Sequence, residues 1–219
     1  MSVILAGCKG STNAPLNKEF RNVEPELSVW ADENSGSVSC HFIFTKGRYS
    51  DKGVAIPGKG KLQLDGIELR ADSSKFNGYY YDYISEITPF SKKHLLVFTD
   101  PNGDIYKDDF DFIPPVVENS LNERMSRKPF HLALKNIPER AYIRLVLTDT
   151  SFYSKDVNEL VPVIDGKIEI TQKMLNNLKN GQISLELFEE LEKSLFKHTP
   201  YEGKFSLSYH IQREFDLTD

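Results

Sequence analysis

The feature that most constrains this chain is the repeated interruption of short apolar–polar alternations by turn residues. Asp65-Gly66 lies between Leu62, Leu64 and Ile67, Leu69, and a second Asp-Gly pair, Asp165-Gly166, precedes another such run. At Asp65-Gly66 the pair specifies a two-residue hairpin, because both central positions of the favoured turn need positive φ, and at Asp165-Gly166 it reads as a turn. Residues 27–30, 38–45, 61–64, 94–99 and 104–106 read as strands, with Pro101-Asn102-Gly103 turning the last two into a hairpin. Residues 110–115 close the first half. In the second half, 130–135, 141–148 and 166–170 read as strands. Ile183, Leu185 and Leu187 then alternate with Ser184, Glu186 and Phe188, and a long terminal strand carries Phe205, Leu207, Tyr209 and Ile211 on one face.

Strands of this length, recurring roughly every 8–12 residues with antiparallel turn chemistry, predict β sandwiches. Residues 171–181 carry the one helical pattern: Thr171 can cap it, Met174, Leu175 and Leu178 share a face, and Gly181 suits a left-handed end. The expected architecture is mainly β: two tandem antiparallel β-sandwich (Ig-like) domains with one short helix in the second. Residues 23–115 form the first domain and 130–219 the second. Pro114-Pro115 bars further ladder bonds, so 116–129 reads as a linker, with a brief helix expected over 118–127. No strand–helix alternation is present, which argues against a doubly wound nucleotide fold.

A chain of 219 residues with 27% charged residues and net charge −5 has the make-up of a globular protein. It holds no cluster of Lys and Arg, and nucleic acid is therefore not an expected partner. No apolar run approaches the roughly 18 residues that span a bilayer as a helix. Residues 53–60 approach the phosphate-binding pattern G-x-x-x-x-G-K-[ST], but Gly60 stands where the hydroxyl belongs and a strand follows, so a loop is expected. His41, His94, His131, His198 and His210 never fall at zinc-ligand spacing. No catalytic motif and no cofactor are implied.

The N-terminus addresses the chain. Leu5-Ala6-Gly7-Cys8 reads as a lipobox, in which a branched apolar residue and two small ones precede a cysteine that becomes the acyl acceptor. Residues 1–7 then read as the remnant of a signal peptide, 3–7 being the tail of its apolar region. Residues 8–22 are polar and rich in small residues, as a flexible tether is. Lipid on Cys8 is the expected attachment to a membrane. It leaves Cys40, on the apolar face of residues 38–44, as a small buried hydrophobe; a Cys8–Cys40 disulfide is the competing arrangement. This layout resembles uncharacterised Bacteroidota-type bacterial lipoproteins with tandem β-sandwich domains, on the match at residues 5–8. The resemblance implies acylation at Cys8, a place in the cell envelope at the outer membrane or cell surface, and in some members glycan uptake or attachment.

Two further clusters invite a functional reading. Tyr79, Tyr80, Tyr81 and Tyr83 form an unusual aromatic run, which can serve as a stacking platform for a glycan or protein partner, or simply fill a half-buried strand. Asp100, Asn102 and Asp104 place oxygens at alternate positions, as a calcium loop does, but Ile105 occupies the position where such a loop turns on glycine. An ordinary hairpin is the expectation, with no metal bound. The overall expectation is a lipid-anchored protein with a non-enzymatic binding or assembly role. The alternative is an extracytoplasmic carboxylate-dependent hydrolase, for which the acidic run at Glu186, Glu189, Glu190 and Glu192 is the raw material.

Overall fold

The computed structural model describes residues 20, 22–47, 52–137, 141–151 and 155–219. Cys8 and the residues expected as a signal-peptide remnant, with nearly all of those expected as a tether, lie outside them. The first half contributes β1 (Val23–Asp32), β2 (Ser37–Lys46), β3 (Lys61–Leu64), β4 (Ile67–Leu69), β5 (Ala71–Ser74), β6 (Gly78–Glu86), a single-turn helix α1 (Ile87–Phe90), β7 (Lys93–Thr99) and β8 (Ile105–Asp111). Then come β9 (Val116–Val117), β10 (Arg124–Ser126), β11 (Phe130–Lys135), β12 (Tyr142–Asp149), β13 (Val157–Pro162), β14 (Lys167–Ile170), α2 (Gln172–Asn176), β15 (Gly181–Leu195) and β16 (Gly203–Thr218).

The chain is mainly β, as its alternation predicts. The turns form where the Asp-Gly pairs stand, Asp65 and Gly66 with φ of 52° and 81°, Asp165 and Gly166 with 49° and 69°; the first joins the paired strands β3 and β4, while the second holds only the bridge Ile164↔Lys167 and passes the chain from one sheet to another. Residues 53–60 form no helix, and the chain enters β3 directly. Three differences from the sequence reading concern helices, the first being α1, a single turn in the first half where none was expected. The segment 118–127 is extended rather than helical: Asn119 accepts from the Ala133 N–H (2.7 Å) and donates to the His131 carbonyl (3.1 Å), so its amide imitates a neighbouring strand. The predicted helix 171–181 shrinks to α2. Thr171 does cap it, accepting from Met174 N–H at 3.3 Å, but Gly181 opens β15 instead of ending the helix.

Each half is a sandwich. In the first, β1, β2, β6 and β5 face the small sheet β4-β3-β7-β8; in the second, β13, β12, β15 and β16 face β14-β11-β9. The large sheets are not separate. They run on as one nine-stranded sheet, β13-β12-β15-β16-β1-β2-β6-β5 with β10 beside β16. The continuity comes from the long β15–β16 hairpin. The first part of β16 pairs in parallel with β1, from Glu26↔Lys204 to Asp32↔His210, and its last residues pair with β10.

The cores differ in make-up. The first is aromatic, with Phe44 against Phe98 and Phe110 against Phe205, both at 4.9 Å between ring centres. The second is largely aliphatic, built on Leu132, Leu145, Leu147, Ile168, Leu185 and Leu187, all fully buried. Phe20, which the sequence assigns to the tether, is buried against Phe44 (5.3 Å). The segment expected as a linker contributes β9 and β10 to the sheets of the second half. Among the described residues no helix is long and apolar enough to cross a membrane.

Candidate functional site

The tyrosine run does not form one surface. Alternation along β6 sends Tyr81 into the first core, where its hydroxyl accepts from the Ile56 N–H at 2.9 Å, and lays Tyr83 against Phe90 at 6.1 Å. Tyr79 is exposed where the chain enters at Phe20 and Gly53. Tyr80 occupies the opposite face, 5.2 Å from the His41 ring. That ring holds Asp82 at 2.6 Å.

Asp100 is buried at the β7–β8 hairpin, and its carboxylate is already surrounded by donors: the N–H groups of Asn102 (2.8 Å) and Asp104 (3.0 Å), the Asn102 amide and the Tyr201 hydroxyl (both 3.2 Å). The cluster therefore serves to staple the turn. Among the described residues, no group of three or more His, Cys, Asp or Glu side chains is disposed to hold a metal ion. Cys40 is a buried free thiol, its pKa pushed up to about 12 chiefly by burial, with Asp65 and Asp82 adding to the effect. Such a thiol is not an activated nucleophile.

A concavity lies at the junction of the two sandwiches, on the outer side of the shared sheet. It is a groove of about 840 Å³ whose lining includes Trp30, Tyr142, Arg144, Leu160, Phe188 and Leu191. Trp30 is 44% exposed, Tyr142 64% and Leu160 59%, so three large apolar side chains meet solvent beside one cleft. Clefts between domains are common binding sites, and exposed apolar side chains held together mark them.

Strand geometry explains why these side chains are outside. Val29 and Ala31 of β1 point inward, which turns Trp30 outward. On β15, Ile183, Leu185 and Leu187 point inward, and Phe188 shares the outer face with Ser184 and Glu186. The pairings Phe188↔His210 and Asp32↔His210 bring three rings together. His210 stacks on Phe188 at 4.7 Å and 15°, and on Trp30 at 6.2 Å and 29°. Its ring nitrogens meet Glu186 (3.1 Å) and Asp32 (3.4 Å), which fixes the ring upright as a spacer between its two aromatic neighbours.

The rim is acidic. Arg144 reaches Glu190 (3.2 Å) and Asn158 (3.2 Å), while Glu189 and Glu192 also line the groove. Burial lifts the Glu189 carboxyl from about 4.5 to about 7. Asp32 moves the other way: burial opposes its ionisation, but the N–H groups of Ser35 and Asn34 together with His210 outweigh it and hold the pKa below its ordinary value. Sequence reading placed Phe188 on the polar face of its strand but attached no function to it. The available signals were the single tryptophan and that phenylalanine, both at positions where alternation calls for polar residues.

No family model matches the sequence, and no curated protein matches it. Solved structures align with it at low similarity. Tandem Ig repeats of Dlar share 12% identity over 85% of this chain and 94% of that one, with a TM-score of 0.23. A tetra-tandem repeat from the extending region of a large adhesion protein shares 15% identity over 88% of this chain and 49% of that one, with a TM-score of 0.26. The first two Ig domains of DIP-gamma share 11% identity over 86% and 98%, with a TM-score of 0.25. Similarities this weak carry no functional argument, and the sandwich assignment stands on the sheets of this chain.

Proposed function

We propose that this chain is a lipid-anchored protein of the cell envelope whose joined β sandwiches present a non-enzymatic binding groove. The observation that carries the binding role is the groove at the junction, where Trp30, Tyr142 and Leu160 stay exposed around the stacked Trp30–His210–Phe188 rings. An apolar floor with a polar rim is the anatomy of a recognition surface, and Trp and Tyr are the residues on which such surfaces most depend. The anchor is supported by the lipobox-like residues 5–8.

Two experiments test this. The Cys8→Ser variant is expected to move from the membrane to the soluble fraction; unchanged fractionation ends the anchor reading. For the groove, wild type and the Trp30→Ala, Tyr142→Ala double variant are immobilised and exposed to envelope proteins and polysaccharides. Retention of a component by wild type, reduced at least about tenfold in the variant, is expected. Equal retention by both removes the groove from the function.

The hydrolase alternative would have to use Glu189, whose carboxyl burial lifts to about 7, although alternation puts it on the face of β15 opposite Glu186, Glu190 and Glu192. That reading requires glycan turnover that Glu189→Gln abolishes, while the binding reading requires retention that Glu189→Gln leaves in place.

A further inference from the structure

We infer that the ligand of the groove is a neutral oligosaccharide, which runs from Trp30 across the outer face of the first sandwich to a second aromatic platform at Tyr80. The inference rests on the groove being the binding surface; it names the occupant and extends the site.

Strand register carries the groove onto the first sandwich. Ser28 and Trp30 both line the groove. Ser28 stands opposite His41 and His41 opposite Asp82, while Trp30 stands opposite Ser39 and Ser39 opposite Ile84. Tyr80 lies two residues from Asp82 on the same face of β6, with Asp72 across from it. This face is turned away from the first core, and none of these side chains is buried. At roughly 4.8 Å between strands and 3.3 Å per residue, Trp30 and Tyr80 are about 16 Å apart.

Each platform is held by a histidine. His210 stacks on Trp30 and is itself fixed by Asp32 and Glu186. The His41 ring lies 5.2 Å from Tyr80 and is fixed by Asp82. An exposed ring already held in one orientation loses little further freedom when a ligand settles on it. The C–H face of a pyranose stacks on such a ring, and its hydroxyls then need donors and acceptors around the rim. Residues between the platforms supply both. Ser28 accepts from the Ser206 hydroxyl at 3.1 Å, which leaves its own hydrogen to give, and Asp82 engages His41 through one oxygen only.

Other occupants fit this path less well. Along it β1 and β2 are paired on both sides, so no partner strand can be added there. A protein interface gathers apolar side chains at a centre depleted of charge. Here the two rings stand apart, with serines, a histidine and a carboxylate between them and Ile84 as the exposed aliphatic. Charge excludes nucleic acids and acidic glycans. Among the described residues no Lys or Arg is ion-paired to Asp72, Asp82 or Glu192, whereas Arg144 already holds Glu190 and Lys204 stands opposite Glu26.

Trp30 is the only tryptophan, so its fluorescence reports ligand at the first platform. The probes are neutral oligosaccharides of differing sugar and linkage, as disaccharides and tetrasaccharides, with uronic-acid tetrasaccharides for comparison. At least one neutral tetrasaccharide is expected to shift Trp30 emission saturably and to bind at least about tenfold more tightly than its disaccharide. The uronic-acid series should bind at least about tenfold more weakly than that tetrasaccharide. Tyr80→Ala should erase the gain with length and leave the disaccharide unchanged, and Tyr80→Phe, which keeps the ring, should retain most of it. Tyr80 is partly exposed on the outer face, so both variants should keep their fold, checked by circular dichroism.

No saturable shift with any neutral oligosaccharide, equal binding of the acidic series, or a length dependence indifferent to Tyr80→Ala overturns the inference. If retention of an envelope protein still depends on Trp30 and Tyr142 while every oligosaccharide fails, the groove stands and this occupant falls. If both fail, the binding reading falls with it.

Discussion

His94 is buried with an acceptor at each ring nitrogen: Asp65 Oδ2 at 2.9 Å and the Phe90 carbonyl at 2.7 Å, with the Phe90 ring stacked on it at 3.7 Å. The partnership is visible on Asp65. Burial opposes its charge, but the Leu95 N–H, His94 and Lys92 outweigh that and hold its pKa below the ordinary value. A carboxylate with a lowered folded pKa contributes stability above its unfolded value near 3.9, and this is lost as pH falls through the folded value. Glu189 has the opposite sign. Its folded pKa is raised, so its contribution is complete below about 4.5 and is lost as pH rises through about 7. Urea unfolding between pH 3 and 8 should therefore separate the two. Asp65→Asn is expected to cost about 1–3 kcal/mol at neutral pH and to flatten the acid limb. Glu189→Gln should flatten the limb between about 4.5 and 7 and leave the protein more stable than wild type at pH 8. A Glu189→Gln profile that superimposes on wild type would refute the burial argument. Neither pairing was legible in the sequence, since Asp65 showed itself only as a turn residue and His94 only as a strand residue. The turn was readable because its cause is local, whereas the burial that shifts a pKa depends on strands far away in the chain.

At the scale of elements, local chemistry was readable wherever it acted alone. The Asp-Gly turns, the alternating strands and the Thr171 cap all formed where their residues stood. Thr171→Ala should cost about 1 kcal/mol, read as a shift in the urea midpoint at constant slope; no shift would mean that α2 is held by packing alone. Where a tertiary partner competed, local reading failed. The segment 118–127 became extended because Asn119 could bond to β11, and Arg127 then reaches α2 to hold the Leu175 and Leu178 carbonyls and Asn180. Those guanidinium contacts satisfy carbonyls at the end of the short helix, which lacks a glycine cap. Arg127→Ala is expected to cost about 1.5–3 kcal/mol, more than removing the cap. The groove followed the same division. Alternation already placed Phe188 on a polar face, but its meeting with Trp30 at His210 depends on the β1–β16 register, which no local pattern encodes.

For the whole molecule, that register decides how the protein unfolds. β1 and β16 stand at opposite ends of the chain, yet they pair in parallel over Glu26↔Lys204 to Asp32↔His210. Phe205 packs on Phe110 and Tyr209 lies 6.1 Å from Phe112, so the first core is completed by residues from the C-terminal strand. Further along the same strand, Phe215 meets Phe130 in the second core. One continuous hairpin thus belongs to both sandwiches. Withdrawing it would expose two cores at once. The expectation is a single cooperative transition, with calorimetric and van't Hoff enthalpies equal, although the sequence divides into two apparent β units. The sharper test places the damage in one half and reads it in the other. Leu147 is fully buried on β12 and faces the second core, so Leu147→Ala should cost about 2–5 kcal/mol. If the hairpin couples the halves, the slowest-exchanging amides of β7, in the first sandwich, will lose protection by that same amount. If β7 protection stays at its wild-type level while β12 loses its own, the halves unfold independently and the shared sheet is only a contact between them.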